Sequence, residues 1–141
     1  MNGEVWYIDT SAFVKVVMEE DHTTALRTWI KDRPALVSCD LLRVEALRAV
    51  RRSQPSAAPA TRAALQDVEM LRLDEPLLEM AAVLPPASLR SLDALHLAAA
   101  ISIGSELRGI LTYDERMAAS ASKLGVVVTA PGLDPQWWQT P

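Results

Sequence analysis

Val5-Trp6-Tyr7-Ile8-Asp9-Thr10-Ser11 decides the fold class: a short β-favouring run ends at a carboxylate, and the apolar helical run Ser11 to Met18 begins at once. A strand that passes straight into a helix is the first half of a βαβ unit, in which ligands gather outside the carboxyl ends of parallel strands. Gly109-Ile110-Leu111-Thr112-Tyr113-Asp114 has the same design late in the chain. Asp9 and Asp114 are therefore expected on one rim. Two carboxylates there repel each other unless a cation or a proton lies between them.

Outward from this stretch, helices are expected over His22 to Arg33 (stopped by Pro34), Asp40 to Arg52, Ala60 to Met70, Glu75 to Leu84, Leu92 to Gly104 and Glu115 to Leu124. Strands are expected over Ala35 to Ser38, Leu71 to Leu73, Ile110 to Thr112 and Val126 to Val128. Glu19-Glu20-Asp21 reads as the opening of the second helix, because the dipole disfavours acids at a helix C-terminus. Ser53 to Ser56 reads as a turn or loop, the most flexible stretch of the chain. The helix from Leu92 is apolar almost all round and belongs in the centre of the molecule.

The chain has 141 residues, half of them hydrophobic, which suits one domain over 1–141 with a core of about 5–128 and a tail of 129–141. The tail holds Trp137-Trp138 and carries no functional signal. A net charge of −4 argues against a general polyanion binder. Arginine nevertheless outnumbers lysine 11 to 3, and Arg48, Arg51 and Arg52 cluster on one side of a helix. The single cysteine, Cys39, excludes an internal disulfide, suits a reducing cytoplasm, and reads as a buried small hydrophobe. Met1-Asn2-Gly3-Glu4 has no signal-peptide character, and no apolar run approaches the ~20 residues of a membrane span. A soluble, cytoplasmic protein is the expectation.

Four acids are candidate site residues. Asp9 and Asp114 end strands, and each has helix capping as its competing role. Asp93 sits near the start of the most apolar helix, where an ionised carboxylate needs a partner or a metal; His96 is one turn on and in reach of a hydrogen bond. Glu45 lies on the border between the apolar and basic sides of its helix, where an ion pair with Arg48 or Arg52 is the competing role. His96 itself reads as a packed core or supporting histidine. Together these acids form an oxygen-ligand set for Mg²⁺ or Mn²⁺. One cysteine and two scattered histidines argue against zinc, and neither G-x-G-x-x-G nor G-x-x-x-x-G-K-[ST] occurs.

Tyr7-Ile8-Asp9-Thr10-Ser11-Ala12, Glu45, Leu92-Asp93-Ala94-Leu95-His96-Leu97-Ala98 and Leu111-Thr112-Tyr113-Asp114 together resemble a PIN domain, and more narrowly a VapC-type toxin ribonuclease of a type II toxin–antitoxin pair. The resemblance runs from Val5 to about Val128. It implies a three-layer α/β/α sandwich with a five-stranded parallel sheet and an acidic pocket at the strand ends. By carry-over, Asp9, Glu45, Asp93 and Asp114 are the catalytic metal ligands, with Ser11 and Thr112 in support and Mg²⁺, replaceable by Mn²⁺, as cofactor. It also implies an endoribonuclease that hydrolyses RNA through a metal-activated water, a VapB-like antitoxin, and homodimers joined into toxin–antitoxin hetero-oligomers. Arg48, Arg51, Arg52, Arg90 and Arg116 are the candidate RNA contacts. The alternative is a catalytically silent PIN fold that binds RNA or a partner. A phosphatase using Asp9 as nucleophile would want D-x-D where Ser11 stands, and a phosphoaspartate receiver would want an acidic pair that Asp9-Thr10 does not supply.

Overall fold

Val5, Trp6, Tyr7 and Ile8 are β-branched or aromatic and alternate between the two faces of a pleated strand. Tyr7 enters a cluster with Leu97, Ile110 and Met117, whereas Ile8 enters a separate one with Phe13, Leu26 and Leu42. A strand buried on both faces belongs in the middle of a sheet covered on both sides. That is where it lies. A computed structural model of the chain describes residues 4–32 and 35–139. Its element order is β1 (Val5–Ile8), α1 (Thr10–Val17), α2 (Thr23–Lys31), β2 (Leu36–Cys39), α3 (Leu41–Ser53), α4 (Ala58–Leu65), β3 (Glu69–Leu71), α5 (Glu75–Val83), α6 (Ser91–Ser102), β4 (Leu107–Leu111), α7 (Glu115–Lys123) and β5 (Val128–Thr129).

The strands pair in parallel in the order β3-β2-β1-β4-β5. The order reverses between β1 and β4, so the loops leaving these two strands part and open a crevice at the carboxyl edge. Ile8 is in register with Leu111, which releases Asp9 and Thr112 from the sheet side by side. Helices α1 to α4 pack on the Ile8 face; α5, α6 and α7 pack on the Tyr7 face. The result is the expected α/β/α sandwich. Leu97, Ala98, Ala99 and Ala100 of α6 are all fully buried, as a central helix requires. No helix among the described residues is long and apolar enough to cross a membrane.

Several boundaries differ from expectation for tertiary reasons. The helix expected over Ala60 to Met70 ends at Leu65, and the strand is Glu69–Leu71 rather than Leu71 to Leu73, because Met70 and Leu71 complete the ladder beside Ser38 and Cys39. Glu19, Glu20 and Asp21 do not open α2: they precede it, with Glu19 paired to Arg27 and Glu20 to Lys15. Ser53 closes α3 instead of opening the connection, and the expected turn or loop is a 3-10 turn over Pro55–Ala57. The fourth strand begins earlier, at Leu107, and Thr129, expected in the tail, lies in β5. Gly109 makes this tight ladder feasible, since a Cβ there would lie 2.6 Å from Val127 O and 2.8 Å from the Trp6 ring. The expected helix stop at Arg33-Pro34 lies outside the described residues.

A polar strut joins the two helical layers at the carboxyl edge. His96 of α6, only 3% exposed, has Nδ1 2.7 Å from Tyr7 Oη and Nε2 2.7 Å from Glu45 Oε1 on α3. Thr10 Oγ1 donates to the same Glu45 oxygen at 2.6 Å. The expected Asp93–His96 bond does not form, because both ring nitrogens are already engaged. Nor does Glu45 pair with an arginine of its own helix, since His96 and Thr10 draw it inward. Burial disfavours the imidazolium, but contacts to Cys39 Sγ (3.9 Å) and Glu45, with the fields of Cys39 and Asp9, outweigh it and push His96 up to about 10. Burial likewise raises the Glu45 carboxyl, and bonds from His96 and Thr10 outweigh it, so the group is held below its usual value.

The strut therefore stabilises the fold in a defined pH window. His96 is raised from 6.5, so its contribution is complete below that value and is lost as pH rises toward about 10. Glu45 is lowered from 4.5, so its contribution is present above that value and is lost at more acid pH. Thermal melts from pH ~7 to ~10 are expected to show a steeper decline for the native chain than for His96→Gln; parallel declines would refute the ion-like pairing.

Candidate active site

Asp9 leaves β1 at its carboxyl end and is 3% exposed. Its Oδ1 accepts the Ala12 N–H at 3.0 Å, which caps α1, and the Ser11 hydroxyl at 2.7 Å. Oδ2 accepts the Thr112 hydroxyl at 2.5 Å. The capping role and a place in the crevice thus fall on one side chain. Burial pushes its carboxyl up, against the bond from Thr112, the positive His96, and the bonds from Ser11 and Ala12.

Ser11 and Thr112 do more than hold Asp9. Ser11 Oγ accepts the Tyr113 N–H at 2.9 Å and Thr112 Oγ1 accepts the Asp114 N–H at 3.1 Å. These bonds fasten the turn after β4 to the turn after β1. Asp114, exposed at this junction, caps α7 by accepting the Met117 N–H at 2.9 Å through Oδ1.

Asp93 stands in the first turn of α6, which begins after Arg90. It caps nothing, and it is the acid with the least support: its half-buried carboxylate has no hydrogen bond or ion pair among the described residues. Burial raises it, and so does the negative charge of Asp114; His96 and Arg90 lower it, and Glu45 raises it again. All four acids are therefore connected, Asp9 to Asp114 through Thr112, Asp9 and Glu45 through fields and bonds of His96, and Asp93 by field to Asp114 and Glu45.

The free lone pairs define what this arrangement can hold. Glu45 engages Oε1 with two donors and leaves Oε2 unbonded; Asp114 leaves Oδ2; Asp93 leaves both oxygens. Among the described residues, no three acidic, histidine or cysteine side chains form a ready cage for an ion. Mg²⁺ suits an open set, because it binds through one or two carboxylates and keeps several waters. Zinc does not suit it: Cys39 is fully buried, and both nitrogens of His96 are occupied.

The candidate arginines divide into two groups. Arg90 lies within the field of Asp93, and Arg116 stands exposed in the first turn of α7. Arg48 and Arg51 line a cavity of about 210 Å³ with Arg62, Leu47, Pro55 and Ala58, whereas exposed Arg52 does not border it. At ~1.5 Å per residue, Arg48 is ~4.5 Å and Arg51 ~9 Å along α3 from Glu45. A larger cavity, about 410 Å³, lies between α5 and α6, is bordered by Leu78, Ala81 and Leu89, and touches none of the four acids.

Tyr7 and Thr10 are the parts of this site that sequence reasoning missed. A tyrosine hydroxyl on a doubly buried strand and a histidine in an apolar helix each need a partner, and that shared need was the available signal.

The PIN domain family model matches residues 6–123. Ribonuclease VapC46 of Mycobacterium tuberculosis is 42% identical over 125 residues, spanning 89% of this chain and 96% of that protein. Ribonuclease VapC47 of the same organism is 40% identical over 131 residues, with the same shares covered. The crystal structure of M. tuberculosis VapC20, titled a sarcin-ricin loop cleaving toxin, superimposes with a TM-score of 0.68 over 82% of this chain and 94% of that one. At 17% identity that likeness concerns the fold alone. A parallel α/β/α sandwich with acids at its switch point, the family match across most of its length, and relatives alike nearly end to end leave one assignment: this chain belongs to the PIN-domain family, among the VapC ribonucleases.

Proposed function

We propose that this chain is a divalent-metal-dependent endoribonuclease, the toxin of a type II pair, with Asp93, Glu45, Asp114 and Asp9 as the residues that hold Mg²⁺ or Mn²⁺. The observation that carries this reading is Asp93: a half-buried carboxylate with no hydrogen bond or ion pair among the described residues, in the field of Asp114 and Glu45. A cation relieves both the burial cost and that repulsion, which His96 and Arg90 offset without reversing, since the carboxyl stays raised. When bound, the ion supplies Lewis acidity toward a phosphodiester and lowers the pKa of a water.

The chain's own groups do the positioning. Asp93 and the free oxygens of Glu45 and Asp114 offer hard donors, while Ser11 and Thr112 hold the buried Asp9 rigid and join the two loops that carry the acids. Asp9 Oδ2 keeps one lone pair beyond the Thr112 bond. RNA approaching an acidic crevice needs cations beside it, and Arg90 and Arg116 flank the acids. Arg48, Arg51 and Arg62 extend that support along α3 and α4. Family membership supports a VapB-like antitoxin as the restraint on this activity, and homodimers as the unit it binds. Cytoplasmic location accords with an RNA substrate.

Asp93→Asn is expected to cut cleavage of a structured RNA pool by at least about 100-fold, the upper range for loss of a metal-supporting group. It is also expected to melt no lower than the native chain in EDTA, because a like charge has gone. Products should carry 5′-phosphate and 3′-hydroxyl ends and vanish with EDTA. Cyclic 2′,3′-phosphate ends would overturn metal-assisted hydrolysis, and an RNA pool bound but left intact would favour a silent binding protein.

Replacing Arg48, Arg51 and Arg62 with Ala is expected to weaken RNA binding in EDTA. For a single strand, the slope of log K against log salt should shrink by ~0.7 for each phosphate no longer neutralised. An unchanged slope in a fluorescence anisotropy titration would remove this wall from the RNA path.

A further inference from the structure

We infer that His96 is a positioning residue: pinned by Tyr7, it holds the Glu45 carboxylate across the carboxyl edge of the sheet and leaves Oε2 as the oxygen open to a cation. This rests on the reading of Glu45 as a metal ligand. The ties span 51 and 89 residues of sequence, joining α6 of one layer to α3 of the other and to the central strand. No local capping or helix requirement accounts for them.

Charge state does not alter the arrangement. An ionised carboxylate only accepts, so Nε2–H donates to Glu45 whether the ring is neutral or positive. Tyr7 Oη then donates to a bare Nδ1 or accepts from Nδ1–H. Thr10 Oγ1, 3.5 Å from Nε2 and 2.6 Å from Glu45 Oε1, closes the set on the same oxygen. As a packing device the strut is a poor choice, because a well-packed apolar group in place of a buried polar pair is often neutral or stabilising. What an apolar residue cannot do is orient a carboxylate. A free glutamate on a helix samples several rotamers, and an ion that binds it must restrict them at the expense of side-chain entropy. With His96 and Thr10 on Oε1, that restriction is in place before any ion arrives.

The test is Mn²⁺ binding to the full chain without RNA, read by electron paramagnetic resonance as the disappearance of free ion. Glu45→Gln is expected to weaken binding, and His96→Leu to weaken it about 10–100-fold, the usual effect of losing an outer partner of a ligand. His96→Gln, whose amide retains a donor, should recover most of the loss. The double variant Glu45→Gln/His96→Leu should bind no more weakly than Glu45→Gln alone, because His96 acts through Glu45. Native affinity in His96→Leu beside a weakened Glu45→Gln overturns the inference and leaves Glu45 a ligand; additive losses overturn it too. Native affinity in Glu45→Gln removes Glu45 from the ligand set and the inference with it. Should His96→Leu fail to fold, Tyr7→Phe replaces it: a severalfold weakening is expected, and unchanged affinity overturns the role.

Discussion

Burying Asp9 is the constraint on which the rest of this structure turns. An ionised carboxylate at 3% exposure survives only if donors surround it. Here the donors come from two places in the sequence: Ala12 N–H and the Ser11 hydroxyl from the start of α1, and the Thr112 hydroxyl from the end of β4. Satisfying one group therefore demands that β1 and β4 be neighbours in register. That neighbour relation places the crevice between them and sets Asp114 and its helix on the same edge. The topology and the electrostatics of the site are one requirement seen from two sides.

A second constraint falls on the acids that arrive from different helices. Asp93 comes from the α6 side of the sheet and Glu45 from the α3 side, so their separation depends on how far apart the two helical layers sit. Apolar packing sets that distance only loosely, since side chains of similar volume interchange at small cost. Hydrogen bonds are directional and short. The chain from Tyr7 through His96 to Glu45 measures 2.7 Å at each step and converts a loosely specified layer spacing into a defined one.

Much of this is legible from residues alone. A strand ending in Asp9, the apolar helix holding Asp93, and Asp114 after Leu111-Thr112 are enough for the sheet, its direction and the rim. What escapes is decided by partners remote in sequence. Nothing near Met70 says that it pairs beside Ser38, so the helical pattern before it runs on past the true helix end. His96 is one turn from Asp93, which makes that pair the obvious bond, yet the ring points its two nitrogens to groups 51 and 89 residues away. The same blindness sends Glu45 toward Arg48 and Arg52, because helical spacing shows only partners on the same helix.

Capping and ligation are usually weighed as rivals for a single aspartate. In this chain Asp9 and Asp114 cap α1 and α7 and still stand at the crevice, so capping is compatible with the ligand role proposed for them. A cap fixes one carboxylate oxygen against a backbone N–H, which removes rotamer freedom and directs the other oxygen away from the helix. Asp114 thereby keeps Oδ2 without a hydrogen bond while Oδ1 is held by Met117. Glu45 reaches the same condition through side chains, with Oε1 held and Oε2 left over. Asp93 alone is held by neither device. In place of a bond it has fields, repulsive from Asp114 and Glu45 and attractive from His96 and Arg90, and burial leaves its carboxyl raised, a setting in which a cation gains more than a cap.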